Sequence, residues 1–132
     1  MLGRPAREGG TDGDPAAAQA AFARGLAVAH DSGSAGIAGR LFTARSLFLT
    51  GALSAAATLD YLSGLLIGEE SRSVLASRRD DPWPPVALIG DAALCSRYRD
   101  ALATCGIAEG RICGDGAAAG LWQIATAAGL VP

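Results

Sequence analysis

The short apolar run 86–89 is followed by Gly90-Asp91 and then by a helical pattern, and no other stretch of the 132 residues is better arranged to hold a ligand. In open α/β sheets ligands gather outside the carboxyl ends of strands. There a glycine lets backbone approach and the next helix presents free N–H groups. Gly90 is therefore the first candidate contact, in the turn Ile89-Gly90-Asp91. Asp91 is explained equally well as a helix N-cap, its carboxylate accepting from backbone N–H groups of the first turn. Arg45 is the second candidate. With Arg40 it flanks the apolar segment Leu41-Phe42-Thr43-Ala44, and a guanidinium held beside apolar surface can grip a carboxylate or phosphate through two parallel hydrogen bonds. The same side chain can instead lie along that surface and leave its charge in water, and the spacing does not separate the two readings.

Other constellations fit chemistry less well. Gly114-x-Gly116-x-x-x-Gly120 has the look of a loose dinucleotide loop, but the strand before it is too short and no acidic ribose partner follows at the required distance. Capping of the next helix by Asp115 accounts for it better. The paired acids Glu69-Glu70 and Asp80-Asp81 sit in polar, breaker-adjacent sequence and read as solvated charge. Cys95, Cys105 and Cys113 contain no C-x-x-C pair and His30 is the single histidine, so a zinc site of ordinary spacing cannot be assembled. Three buried thiols in a reducing, cytoplasmic setting are expected. All 11 basic residues are arginine. Without lysine there is no Walker A loop and no Schiff base. The formal net charge of −2 with scattered arginines gives no basic stripe, hence no expectation of nucleic-acid binding.

The elements that must position these residues follow from composition and periodicity. Alanine (29) and glycine (18) dominate and aromatics are 5%, so a helix-rich, closely packed α/β fold is expected. Residues 1–14 read as a loop or arm. Asp14-Pro15 starts a helix over 15–30, a turn follows at 31–36, and 37–49 is mostly helical. Residues 54–76, with Ser54 as N-cap, are apolar nearly all round the wheel and should be buried on every side. Gly64 and Gly68 share a face there, best explained by close approach of another helix. The helical block 15–77 then meets a proline-rich connection at 78–85. The block 86–132 opens with a buried strand and a helix whose stripe is Leu94, Tyr98, Ala101, Leu102 and Cys105. A second strand near 111–113 leads to a helix at 117–128 with Leu121, Ile124, Ala125 and Ala128 on its apolar face. Gly129 stands at C′, and Pro132 ends the pattern. The first residues lack a secretory signal. Residues 46–68 approach membrane-spanning length, but Asp60 and many small polar residues make a buried helix pair the better reading.

Two segments carry a family resemblance. Leu41-Phe42-Thr43-Ala44-Arg45 and the run Asp60-Tyr61-Leu62-Ser63-Gly64-Leu65-Leu66-Ile67-Gly68-Glu69 resemble the LF-x-x-R and YLSGLLIG-x-E signatures of the 2-dehydro-3-deoxygalactonokinases. Val86-Ala87-Leu88-Ile89-Gly90, Leu94, Tyr98, Ala101-Leu102 and Gly120-Leu121 follow in the family's order. The resemblance implies a sugar-acid kinase of the actin-like ATPase superfamily, with a partial ribonuclease H-like C-terminal lobe of short parallel strands and packed helices. It also implies ATP and Mg²⁺ as cofactors, 2-dehydro-3-deoxy-D-galactonate as substrate, and Gly90, Asp91 and Leu94 as the adenosine-binding turn, where Asp91 replaces a frequent second glycine. Arg45 lies in a matched motif, but its role as a substrate contact is a physical reading. The D-W-G-T, P-G-T-H-S-K-W and T-G-E phosphate-binding segments of the family are not found. The expectation is a C-terminal part, inactive alone, whose partner is an N-terminal lobe and whose uncovered apolar surface favours homo-oligomers. The competing expectation is a non-catalytic helical interaction module.

Overall fold

The computed structural model describes residues 14–77, 85–107, 110–114 and 116–131. The N-terminal loop or arm, the bulk of the 78–85 connection, Asp115 and Pro132 lie outside those residues.

Local signals place the helices where the sequence puts them. Helix α1 spans Pro15–Asp31, with proline in the first turn and the Asp14 carboxylate accepting from the Ala16 N–H at 3.0 Å. Short 3₁₀ turns at Gly33–Ala35 and Ala38–Arg40 lead into α2 (Leu41–Leu49). Helix α3 (Ala55–Ser77) begins under Ser54, whose hydroxyl accepts from the Ala57 N–H at 3.1 Å. After Pro85 the chain forms β1 (Val86–Leu88), α4 (Ala92–Thr104), β2 (Gly110–Ile112) and α5 (Ala117–Ala127). The two strands pair in parallel, Val86 with Gly110, Ala87 with Arg111 and Leu88 with Ile112. α5 ends in a glycine cap: Gly129 has φ +68° and the Leu130 N–H donates to the Ala125 carbonyl at 2.9 Å.

The principal interface is α1 against α3. Gly25 and Gly64 let the two backbones meet, since a Cβ on Gly64 would lie 2.2 Å from the Phe22 carbonyl oxygen and 3.0 Å from the Gly25 Cα. The glycine face of α3 is thus filled by another helix, as its spacing indicated. Around it lie two apolar clusters. One joins Ala21, Ala29, Ile37, Ala44, Ala57, Tyr61 and Leu65 across α1, α2 and α3, and the other joins Phe22, Leu26, Ile67 and Ala101, bringing in α4. Arg97 of α4 ties the second cluster down, pairing with Asp60 while its guanidinium carbon stands 5.0 Å from the Phe22 ring centroid.

Several expectations fail for one physical reason: the described residues supply too few layers to cover every apolar surface. α3 is buried on one face only, with Leu59, Leu66 and Val74 exposed. The strand 86–89 is half-buried, ends at Leu88, and leaves Ile89 in solvent. On α4 the expected stripe is shifted, with Cys95 buried and Leu94 exposed. On α5 the apolar face is largely uncovered by the described residues: Leu121, Ile124 and Trp122 are exposed, Trp122 at 59%, and Ala125 is half-buried. Of the three thiols Cys95 alone is buried, Cys105 is half-buried and Cys113 is exposed. The N-cap position of α5 is held by Gly116. No helix among the described residues is long and apolar enough to cross a membrane.

Candidate functional site

The strand–turn–helix unit is built by three local choices. Val86–Leu88 is extended and pairs with β2, Gly90 takes φ +148°, a region side-chain-bearing residues rarely adopt, and Asp91 stops the extended chain by capping α4. The Asp91 carboxylate accepts from the N–H groups of Ala93 at 2.9 Å and Leu94 at 3.1 Å. The cap reading of Asp91 is therefore correct. Its electrostatic consequence is that the first turn of α4 already holds an anion, so its positive end is neutralised and a second anion there meets like charge.

The parallel register brings a second glycine turn to the same place. The Gly90 N–H donates to the Gly114 carbonyl at 3.2 Å and the Cys113 N–H to the Leu88 carbonyl at 2.9 Å, so the turns that follow β1 and β2 are tied together. Gly114, at φ +70°, is the residue that sequence reasoning set aside. Its place beside Gly90 depends on strand order, which no local motif reports. Both strands deliver their carboxyl ends to this edge, the position at which α/β sheets gather ligands.

Beside the Gly90 turn lies an apolar cleft of about 370 Å³, lined by Ala87, Leu88, Ile89, Leu94, Cys95 and Tyr98. Leu94, half out in solvent, forms part of its wall. A cleft of this size with apolar walls lies within the range that takes small ligands, about 300–1,000 Å³. Tyr98 also lines a second cleft, and its hydroxyl donates to the Glu70 carboxylate at 2.6 Å. That hydrogen bond, then burial and the negative charge of Glu70, hold the Tyr98 phenol above its usual pKa of 10.0. A raised folded-state value means that stability from this bond is fully present below the unfolded phenol pKa and lost as pH rises through the folded one. Alkaline titration followed by circular dichroism should show a steeper loss of stability above about pH 10 in the native chain than in Tyr98→Phe. Identical curves would show that the bond does not contribute.

Arg45 stands elsewhere. It is exposed on α2, which packs against α3. It lines neither the cleft beside the Gly90 turn nor the one beside Glu70. Of the paired acids, Glu69 binds the Arg72 guanidinium at 2.8 Å and Glu70 takes the Tyr98 hydroxyl, so this pair is engaged within the fold. Asp80-Asp81 lie outside the described residues. No three of His, Cys, Asp or Glu among the described residues converge on one point, and none is assigned here to a metal ion.

Comparison with known proteins gives one assignment. No curated protein matches the sequence. The family model for 2-keto-3-deoxy-galactonokinase matches residues 2–124, nearly the whole length, and covers both motif segments as well as the β1–Gly90–α4 unit. The chain belongs to the 2-keto-3-deoxy-galactonokinase family.

Proposed function

We propose that this chain serves a sugar-acid kinase that passes the γ-phosphoryl group of ATP to 2-dehydro-3-deoxy-D-galactonate in galactonate breakdown, and that its own share is to hold the nucleoside. The observation that carries this reading is the pair of hydrogen-bonded glycine turns at the carboxyl ends of β1 and β2, beside an apolar cleft, in a member of a kinase family. Gly90 lets the backbone approach a ribose, and Leu94 with Ile89 offers apolar surface to a base. These residues fit a nucleoside. They do not fit the triphosphate, because the Asp91 carboxylate occupies the N–H groups that would otherwise take a phosphate.

Phosphoryl transfer depends on positioning plus neutralisation of phosphate charge, commonly with Mg²⁺ bridging phosphate oxygens. In this reading those tasks fall to groups outside the unit around Gly90, within an actin-like ATPase architecture of which β1, α4 and β2 form a part. The chain by itself is then inactive. Arg45 is proposed as a contact to the carboxylate of the sugar acid, on the strength of its exposed guanidinium within a family motif.

Calorimetric titration distinguishes these statements. Adenosine should bind at least as tightly as ATP. Asp91→Gly, which as an N-cap change costs only a few tenths of a kcal/mol, should improve ATP relative to adenosine by about fivefold, the ~1 kcal/mol of a charge at a helix N-terminus. With ATP, Mg²⁺ and the sugar acid, the chain alone should release no ADP. Failure to bind adenosine would remove the nucleoside site, and sustained turnover would overturn the division of labour.

A further inference from the structure

The cleft beside the Gly90 turn is walled by Ala87, Leu88, Ile89, Leu94, Cys95 and Tyr98, none of which carries a charge at neutral pH or a side-chain amide. Two of them hold a polar side-chain atom. The Tyr98 hydroxyl is already committed, because Glu70, which lines the groove beside β1, accepts its hydrogen at 2.6 Å. What Tyr98 brings to the cleft is then its ring. Cys95 is 4% exposed, and a thiol is a weak donor and a weak acceptor. The turn itself is committed as well. The Gly90 N–H donates to the Gly114 carbonyl at 3.2 Å, and the Asp91 carboxylate accepts from the Ala93 and Leu94 N–H groups.

A flat heterocycle meets such walls through its faces. Stacking on an aromatic side chain tolerates any base, because every base has a π-face. Strong discrimination arises where a site hydrogen-bonds the ring edge, since the wrong base then leaves a buried polar group unpaired. Two of the walls here stand in solvent, Ile89 at 69% and Leu94 at 49% exposed, so a ring edge that they leave uncovered keeps its water.

We propose, resting on the nucleoside reading above, that this cleft takes purines by their faces and not by their edges. Guanosine and inosine are then held about as well as adenosine, and the site does not by itself restrict the phosphoryl donor to ATP. The three purines differ in the groups on the ring edge and share the two-ring face. Cytidine presents one ring, buries less apolar area and is held less well. Tyr98 is the platform, and Glu70 is its positioning residue, keeping the hydroxyl on the protein and away from the base.

Calorimetric titration of the chain with adenosine, guanosine, inosine and cytidine tests this, with free nucleosides used so that phosphate charge plays no part. The three purines are expected to agree within about tenfold, the size of one net hydrogen bond. Tyr98→Leu, which keeps apolar volume and removes the ring, should weaken all three in parallel by about tenfold. Tyr98→Phe keeps the ring and should leave their ratios unchanged. If Tyr98→Leu fails to fold, Leu94→Ala at its exposed position takes its place, with a parallel loss of about threefold or more. Adenosine binding more than tenfold tighter than guanosine or inosine overturns the proposal and leaves the nucleoside reading standing. So does a change in those ratios beyond tenfold in Tyr98→Phe, or unchanged purine affinity in a folded Tyr98→Leu. Binding of none of the four removes the nucleoside reading and this proposal with it.

Discussion

Gly64→Ala is expected to lower the unfolding free energy by about 3 kcal/mol, the upper end for an overpacked interior. The added Cβ would lie 2.2 Å from the Phe22 carbonyl oxygen and 3.1 Å from the Leu26 nitrogen, both backbone atoms of α1. No side chain can rotate away to make room. The two helices must separate along their whole contact, and the clusters on either side of the glycines loosen together. Since small domains hold about 5–15 kcal/mol in all, the denaturant midpoint should fall far enough to be unmistakable by circular dichroism. Gly68→Ala is the internal comparison. Its Cβ meets the Ala29 methyl at 2.8 Å and a Leu26 side-chain carbon at 3.3 Å, so part of the strain can be relieved, and a smaller loss is expected. Equal midpoints for native chain and Gly64→Ala would contradict the close helix contact.

The second large effect is at Phe22. The ring is 1% exposed and sits where α1, α3 and α4 meet, with the Arg97 guanidinium over one face. Phe22→Ala should cost about 3–5 kcal/mol, the usual range for removing a buried aromatic ring. Phe22→Leu keeps most of the volume but loses the ring face, and should cost less. Chemical denaturation of the three chains measures both differences. A loss below about 1 kcal/mol for alanine, in the range of a surface change, would mean that α4 is not seated on the helical block through this residue.

What the sequence made legible was local. Asp14-Pro15, Ser54, Asp91 and Gly129 each mark a helix end through one side chain or one backbone angle, and each does so in the fold. Gly64 and Gly68 announced a close neighbour. Their opposite number, Gly25, went unread because it sits among alanines that give α1 no contrast. Burial was the least legible property. Periodicity reports which faces of Leu59, Leu66, Val74 or Leu121 are apolar, but the number of layers available decides which faces are covered. At the candidate site Gly90 and Asp91 could be found from one strand and one turn. Gly114 could not, since its place beside Gly90 follows from parallel pairing across a helix.

Tyr98 has one further consequence. Its side chain belongs to the wall of the cleft beside the Gly90 turn and also to that of the groove beside β1, with Glu70 holding its hydroxyl. The two spaces share Ala87 and Leu88 as well as this ring. An occupant of either that displaced the ring would alter the other's affinity, and thermodynamic reciprocity makes the factor the same in both directions.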